Sequence, residues 1–494
     1  MRAAMGLAAV SRESFSRPVS RQKEWSMASR LGVATVLGSA VALALATAVR
    51  AEEAPTLTLN PQMLQLDAVA APAVGDGGAW IDKMKNPCKE FNWGADQRMR
   101  EEYFNNAITL NQQARGHEWQ FERFRTRLWG TIKPCDEFEV YTRMAWEARH
   151  WWNPQSKEEW QNNEVFFDNL YGKLKLAPIH TTFTVGRQDI ILGDGWLVLE
   201  GTPLDGSTSI YFDAARSTTE LKDIQTTLDL IYINQYSDPD KWLPTMGVVG
   251  DPQIEQDERG AIVWAANKSI KNLEVDGYFI YKNDHKVLAN GDQGDIYTPG
   301  VRLVEDFNEH LRGRIEGAGQ FGERNGATVR AFGLNSRLSY SFNDAYKQQV
   351  RLSWEYLSGD TPGTSTNEAF DPLWGRWPQW SELYVYTYAA ETRIAETTNL
   401  DRVGVGYQVY PTDKMQIDLD CNALFANENT RRGSAGFSDH GNYRGQLFTS
   451  VLRYKFNKYL AGHLWAEYLL PGDYYKSPAD SNAVYLRAEL VFGF

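Results

Sequence analysis

From residue 91 to residue 494, apolar and polar residues alternate with a period of two in segments of roughly 8–16 residues, with turn-forming residues between them. In 328–342, Phe332, Leu334, Leu338, Tyr340 and Phe342 oppose Asn335, Arg337, Ser339 and Ser341. In 401–410, Val403, Val405, Tyr407 and Val409 oppose Arg402 and Gln408. In 415–426, Ile417, Leu419, Cys421, Ala423 and Phe425 oppose Asp418, Asp420 and Asn422. The last segment sets Val484, Leu486, Ala488, Leu490, Phe492 and Phe494 against Arg487 and Glu489. Such a beat gives a strand one oily and one wet face. Repeated this often, it is the signature of a transmembrane antiparallel β-barrel.

The pattern predicts strands near 91–103, 119–134, 138–151, 165–176, 180–190, 207–214, 225–236, 260–267, 271–282, 300–307, 311–320, 327–342, 348–358, 399–410, 414–426, 444–457, 460–470 and 482–494. That makes about 18, and the even number suits a bacterial outer-membrane barrel. The connections alternate short and long, as short periplasmic turns and longer extracellular loops require. Two depart from the pattern: 215–224 is long for a turn and 321–326 is short for an outer loop. Leu383-Tyr384-Val385-Tyr386 reads as a strand, yet a strand there would move every later long loop to the periplasm. The segment is therefore assigned to the long loop 359–398, where a short helix is the alternative to irregular chain.

The N-terminus follows different rules. Arg30 precedes a nearly uncharged run of Ala, Leu and Val that ends in the small residues Ala46-Thr47-Ala48 and Val49-Arg50-Ala51. A basic flank, an apolar stretch and a small-residue cleavage site describe a secretory signal. Residues 1–51 are read as that signal plus an N-terminal extension, removed on export, with Met27 as the candidate true start, which gives a signal of ordinary length. Residues 52–90, which have no period, are read as an irregular periplasmic lead-in and 91–494 as the barrel. The alternative for the apolar run is an uncleaved anchor.

Composition sharpens this picture. Without residues 1–51, the remaining 44 basic and 61 acidic residues give a formal charge of −17, which does not suit a nucleic-acid binder. The mean hydropathy of −0.48 fits alternating strands. Aromatics make up 13% of the chain, with 17 Trp and 24 Tyr, as expected where rings form girdles at both membrane interfaces. Of three cysteines, Cys88 and Cys135 both fall at the predicted periplasmic rim. They permit one disulfide, with two separate thiols as the alternative. Cys421 sits on an outward phase. No phosphate loop, H-E-x-x-H, zinc-spaced cysteine pair or nucleophile elbow appears, so neither an enzyme nor a cofactor is expected. His117 and His150 stand alone. The acidic Asp238-Pro239-Asp240 lacks the ordered spacing of a Ca²⁺ loop.

The wet phase carries the candidate chemistry. It places Arg98, Arg100, Arg123, Arg125, Arg127, Arg143, Arg149, Arg312, Arg314, Arg337, Arg351, Arg402, Arg453 and Arg487 in the lumen, with Lys173, Lys175 and Lys455. Fewer acids share that phase: Asp96, Glu102, Glu147, Glu316, Glu355, Asp418, Asp420, Glu467 and Glu489. A basic lumen is expected, with the excess negative charge in loops such as Asp238–Glu258. Guanidinium groups offset a carboxylate's lost hydration through paired hydrogen bonds, and rings of Arg select anions. The ladder Arg123, Arg125, Arg127 repels itself unless acids or an anionic solute face it. The alternative is a wall of mutually satisfied Arg–acid rows. Trp374, Trp377 and Trp380 in the longest loop are read either as sugar contacts or as rings that anchor the loop.

Several short stretches carry a resemblance. They are Trp93-Gly94-Ala95-Asp96-Gln97-Arg98-Met99-Arg100, Phe124-Arg125-Thr126-Arg127-Leu128, Val185-Gly186-Arg187-Gln188, Gly319-Gln320-Phe321-Gly322, and Ser358-Gly359-Asp360 followed by Phe370-Asp371-Pro372-Leu373. In order and spacing the chain resembles the alginate-export family of outer-membrane porins, whose characterised members are 18-stranded barrels. The resemblance runs from about residue 93 to residue 494. It implies passage of an anionic polysaccharide of mannuronate and guluronate across the outer membrane. Uptake of other small or acidic solutes by the same fold remains open, as does a non-conducting barrel enzyme or adhesin. The terminal Val491-Phe492-Gly493-Phe494 resembles the aromatic end through which many outer-membrane proteins meet the barrel-assembly machinery. Membrane lipid and an anionic polymer or small anions are therefore the expected partners.

Overall fold

The computed structural model describes residues 79–200, 209–246, 254–375, 378–388, 391 and 396–494. Residues 1–78, with the expected signal and most of the lead-in, lie outside them, as does Trp377.

Eighteen long strands form one closed antiparallel wall. They are β1 (Phe91–Asn105), β2 (Glu118–Ile132), β3 (Phe138–Asn153), β4 (Trp160–Leu176), β5 (Thr181–Gln188), β8 (Phe212–Leu221), β9 (Thr226–Gln235), β10 (Gln256–Ile270), β11 (Leu273–Lys286), β12 (Gly294–Asp306), β13 (Leu311–Arg324), β14 (Ala327–Ser341), β15 (Gln349–Leu357), β17 (Leu400–Thr412), β18 (Met415–Phe425), β19 (Tyr443–Lys455), β20 (Leu460–Pro471) and β21 (Ala483–Gly493). Each pairs with its chain neighbour in the ring, and β1 closes on β21 through registers from Asp96↔Gly493 to Asn105↔Val484. Closure leaves no unpaired sheet edge, the condition for crossing a bilayer with strands. Phe494 extends the seam, exchanging backbone hydrogen bonds with Ala95 at 3.1 and 3.3 Å. Three two-residue strands, β6 (Ile190–Ile191), β7 (Leu199–Glu200) and β16 (Thr366–Asn367), belong to loops.

The oily phase faces outward. Met99, Leu230, Val263, Ile315, Leu338, Val405 and Leu490 are exposed, while their wet-phase neighbours are buried or half-buried. Aromatics cluster on the wall near both rims. At one end stand Tyr454 with Phe456, and Tyr340 with Phe342. At the other stand Tyr297 with Phe321, and Phe332 with Tyr356. These are two interfacial girdles.

Every predicted strand is present, and the exceptions have local causes. The strand expected at 207–214 is β8, Phe212–Leu221. Its run Ser217-Thr218-Thr219 is polar on both phases and hides the period. Its turn is then the short Lys222–Ile224, which removes one departure from the loop rule. The other is real: β13 and β14 run on to a two-residue turn, Asn325-Gly326, both with positive φ as such hairpins demand. β12 starts at Gly294 rather than at the expected boundary, Gly300, because Pro299 reads as a breaker but sits where pairing to β13 is interrupted. The lead-in ends in a helix, α1 (Ala79–Lys85), where irregular chain was expected. Asp82 in its first turn and Lys83 and Lys85 in its last oppose the helix dipole, and Trp93 Nε1 ties it to the wall by donating to Met84 O at 2.8 Å. The long loop does hold a short helix, α2 (Leu383–Tyr388).

Candidate functional site: a charged lumen and its inserted loops

The wall between β21 and β3 carries a lattice of charges fixed by register. One row across four strands reads Glu489, Arg100, Arg123, Arg149; a second begins Arg487, Glu102; a third joins Arg98, Arg125 and Glu147; a fourth joins Asp96 to Arg127. Arg123 meets Glu102 at 2.6 Å, Arg487 Nε donates to Glu102 at 2.8 Å, Arg100 is paired with Glu489, and Arg127 Nε donates to both oxygens of Asp96 at 3.0 Å. Arg149 lies over the rings of Phe121 and Trp151, 4.8 and 5.2 Å from their centroids. The ladder is therefore faced by acids, and it is covered: Arg123 and Arg125 are 3% and 4% exposed, below what a water-filled channel would leave. Arg143 bridges Asp168 and Asp189 at 2.9 and 2.8 Å.

The cover is the chain's own loops. α2 packs into the lumen with Leu383, Tyr384 and Val385 fully buried, and Tyr386 lies against Phe104 at 4.9 Å and Trp119 at 5.3 Å. Glu467 on β20 holds its start, accepting from Ser381 Oγ and from the Glu382 and Leu383 amides at 2.9 and 3.1 Å. Glu391 holds the far side, paired with Arg444 and accepting from the Tyr474 and Tyr475 hydroxyls at 3.2 and 3.0 Å. Trp374 is 1% exposed, with Nε1 donating to Glu258 at 2.9 Å; a Cβ at Gly260 would strike its ring, so the wall is thinned there to admit it. Trp380 donates to Glu355 at 3.1 Å, and Arg402 covers its ring at 4.7 Å. Both anchor the loop; Trp374 is enclosed, whereas Trp380 stays half-buried.

A second loop inserts beside the first. The β6–β7 hairpin meets it through the Trp374 amide, which donates to Leu197 O at 3.0 Å, and Trp196 stacks on Phe370 at 5.5 Å. Asp194 at its tip is salt-bridged to Arg302 and Arg314, both at 2.9 Å. Burial pushes this carboxyl up, but the Arg314 and Arg302 guanidiniums outweigh that and hold it below the usual carboxylate range.

The lumen is not uniformly basic. The buried inward positions of β9 to β12 carry Asp229, Glu258, Asp276 and Asp284 with the half-buried Glu274, against Lys282 and Arg302. The strip formed by β13, β14, β15 and β17 is basic, with Arg312, Arg314, Arg337, Arg351 and Arg402 against Glu316 and Glu355. Arg351 bridges Asp418 and Asp420 at 3.1 Å, Arg453 pairs with Asp418, and Arg312 stands open at the periplasmic mouth 3.4 Å from Asp306. Arg337, half-buried, has no carboxylate or hydrogen-bond partner among the described residues. Asp194, Glu258, Asp276, Asp284 and Glu391 were missed by the pattern, although Glu258 and Asp284 continue the inward phase of their strands. Cys88 and Cys135, read as a potential bridge, are two separate exposed thiols: the chain turns at Cys88, which pairs with Phe91 just before β1 begins. No group of three metal-type side chains is gathered among the described residues.

The fold is similar to solved barrels of Pseudomonas aeruginosa. OccK9 (OpdG) matches with a TM-score of 0.53 at 10% identity, covering 81% of this chain and 98% of that one. OpdQ matches at 0.51 and 12%, covering 81% and 98%. OpdK, solved with vanillate, matches at 0.51 and 9%, covering 81% and 99%. At these identities the likeness concerns the fold. No curated protein matches the chain. A family model described as alginate export spans residues 89–489, nearly the whole barrel, and by that match the chain belongs to the alginate export family.

Proposed function

We propose that the protein is an outer-membrane pore for anionic solutes, with export of an alginate-like acidic polysaccharide as its favoured task. The observation that carries this is the basic strip of β13 to β17 on the inner wall of a member of the alginate export family. Its guanidiniums replace the hydration a carboxylate loses on entering a narrow passage. A second reading, passage of a small organic acid, is favoured by the inserted loops, which bury Trp196, Trp374 and Leu383–Val385 inside the wall. Both solutes present the same group to the same strip. In this reading residues 1–51 direct export and Phe494 serves assembly of the barrel.

The test is the reversal potential of the purified protein in a planar bilayer under a KCl gradient. Chloride preference is expected. Potassium preference would defeat the reading.

A further inference from the structure

The β6–β7 hairpin ends in the turn Leu192-Gly193-Asp194-Gly195, closed by the Gly195 amide donating to Leu192 O at 2.9 Å. Gly193 and Gly195 have φ of 56° and 73°, a region that favours glycine. A Cβ on Gly193 would stand 3.1 Å from Arg302 Cδ, so glycine lets the tip settle against the wall. One oxygen, Oδ2 of Asp194, is bridged between Arg302 Nε and Arg314 Nη1 on adjacent strands, each at 2.9 Å. Arg337 lies directly opposite Arg314 in register on the next strand, with no acid of its own among the described residues.

Loss of Asp194 would affect the two arginines unequally. Arg302 would keep Glu274 at 2.9 Å and Asp276 at 2.8 Å. Arg314 would keep the neutral Asn335 at 2.6 Å, with Glu316 next along the same face of β13 and itself accepting from the Tyr278 hydroxyl at 3.0 Å. The pair Arg314 and Arg337 would then face the lumen with two positive charges against the single carboxylate of Glu316, an arrangement that still favours a further carboxylate. The backbone of the tip is held by neutral hydrogen bonds: Gln379 Nε2 donates to the Asp194 and Gly195 carbonyls at 3.1 and 2.9 Å.

We propose that Arg302, Arg314 and Arg337 form a carboxylate-binding site in the lumen that the chain's own Asp194 occupies at rest, and that a solute bearing uronate-type carboxylates takes the site by displacing Asp194. This rests on the anion-passing reading and adds to it a location and a built-in competitor. The hairpin is then a latch released by the cargo. Because a ligand's apparent affinity falls with the fraction of sites open to it, a latch closed nine-tenths of the time weakens binding about tenfold.

The experiment is block of chloride current through the full-length protein in planar bilayers by trigalacturonate, with neutral maltotriose as control. Asp194→Asn is expected to lower the half-blocking concentration about tenfold. Arg314→Gln raises it in either background, and maltotriose blocks all forms weakly and equally. Asp194→Glu keeps the charge and blocks like the unaltered chain, which separates loss of the carboxylate from mere change at the tip. Heat-dependent gel migration verifies that each form is a folded barrel. An unchanged half-blocking concentration in Asp194→Asn overturns the competitor, and equal block with and without Arg314 overturns the site. Either result leaves chloride preference standing, whereas potassium preference of the unaltered chain fails the underlying reading itself.

Discussion

Two stretches of the inner wall, on separate arcs of the ring, solve the problem of buried charge in opposite ways. Across β1 to β3, seven inward arginines meet four inward acids, one of which, Glu139, is taken by Lys173 of β4, and the deficit is met by Glu489 from β21, by Asp168 and Asp189 from beyond β3, and by the faces of Phe121 and Trp151. Across β9 to β12 the acids outnumber the cations, and the excess goes to loop contacts: Glu258 takes the Trp374 indole, while Arg302 is shared among Glu274, Asp276 and the hairpin's Asp194. The first wall settles most of its charge between strands and meets α2 chiefly through aromatic rings; the second grips the inserted loops through its charges. Charge in these two stretches is thus no direct measure of what passes through, since each is largely committed to the protein's own groups, and the strip of β13 to β17 is left to select.

This contrast can be broken most forcefully in the first wall. Arg123→Glu places two carboxylates where Glu102 now has a buried cation. Breaking such a pair costs about 3–5 kcal/mol, so the folded band should be lost at markedly lower urea or temperature. Unaltered unfolding would show that the lattice is not structural. Next is the loop anchor. Glu467→Ala leaves a hydroxyl and two amides without an acceptor, each worth roughly 1–3 kcal/mol when buried. The barrel should persist while single-channel conductance and its noise rise; unchanged conductance would mean that α2 does not obstruct the pore. A smaller effect on folding, but a distinct one on selectivity, is expected from Arg337→Glu. That side chain makes no ion pair or hydrogen bond to an acid among the described residues, so stability should move by less than about 1 kcal/mol while the reversal potential moves toward potassium. Loss of folding with no shift in selectivity would reverse the contrast between committed and available arginines. The smallest effect is at the rim. Cys88→Ser and Cys135→Ser should leave folding unchanged, and both thiols of the unreduced protein should react with maleimide; protection of both would restore the bridge.

The wall was legible from the alternation alone because a strand between lipid and lumen is forced to show it: Val403, Val405 and Tyr407 against Arg402 and Gln408 leave no other reading. The period fades where strands outrun the bilayer. Glu258 and Asp284 lie just beyond the expected ends 260–267 and 271–282, where both phases are polar, while Asp229, Glu274 and Asp276 lie inside expected strands and were passed over, so the lumen looked more basic than it is. The loops were legible as loops, but their return into the barrel was not. Asp194 reaches Arg302 and Arg314 only because the closed ring sets distant segments face to face, and no local spacing encodes that. The tryptophans near Phe370-Asp371-Pro372-Leu373 signalled a special loop, yet whether their rings meet sugar or wall depends on neighbours such as Gly260, whose missing side chain admits Trp374.

The hairpin at Asn325-Gly326 has a practical consequence. While neighbouring loops fold inward, this turn ends in two residues, and a side chain at Gly326 would meet nothing within 4 Å. An epitope inserted there would stand at the outer rim without crossing the loop packing. Antibody staining of intact cells would then report which end of the barrel faces the medium, using a tag that leaves the seam between Ala95 and Phe494 undisturbed.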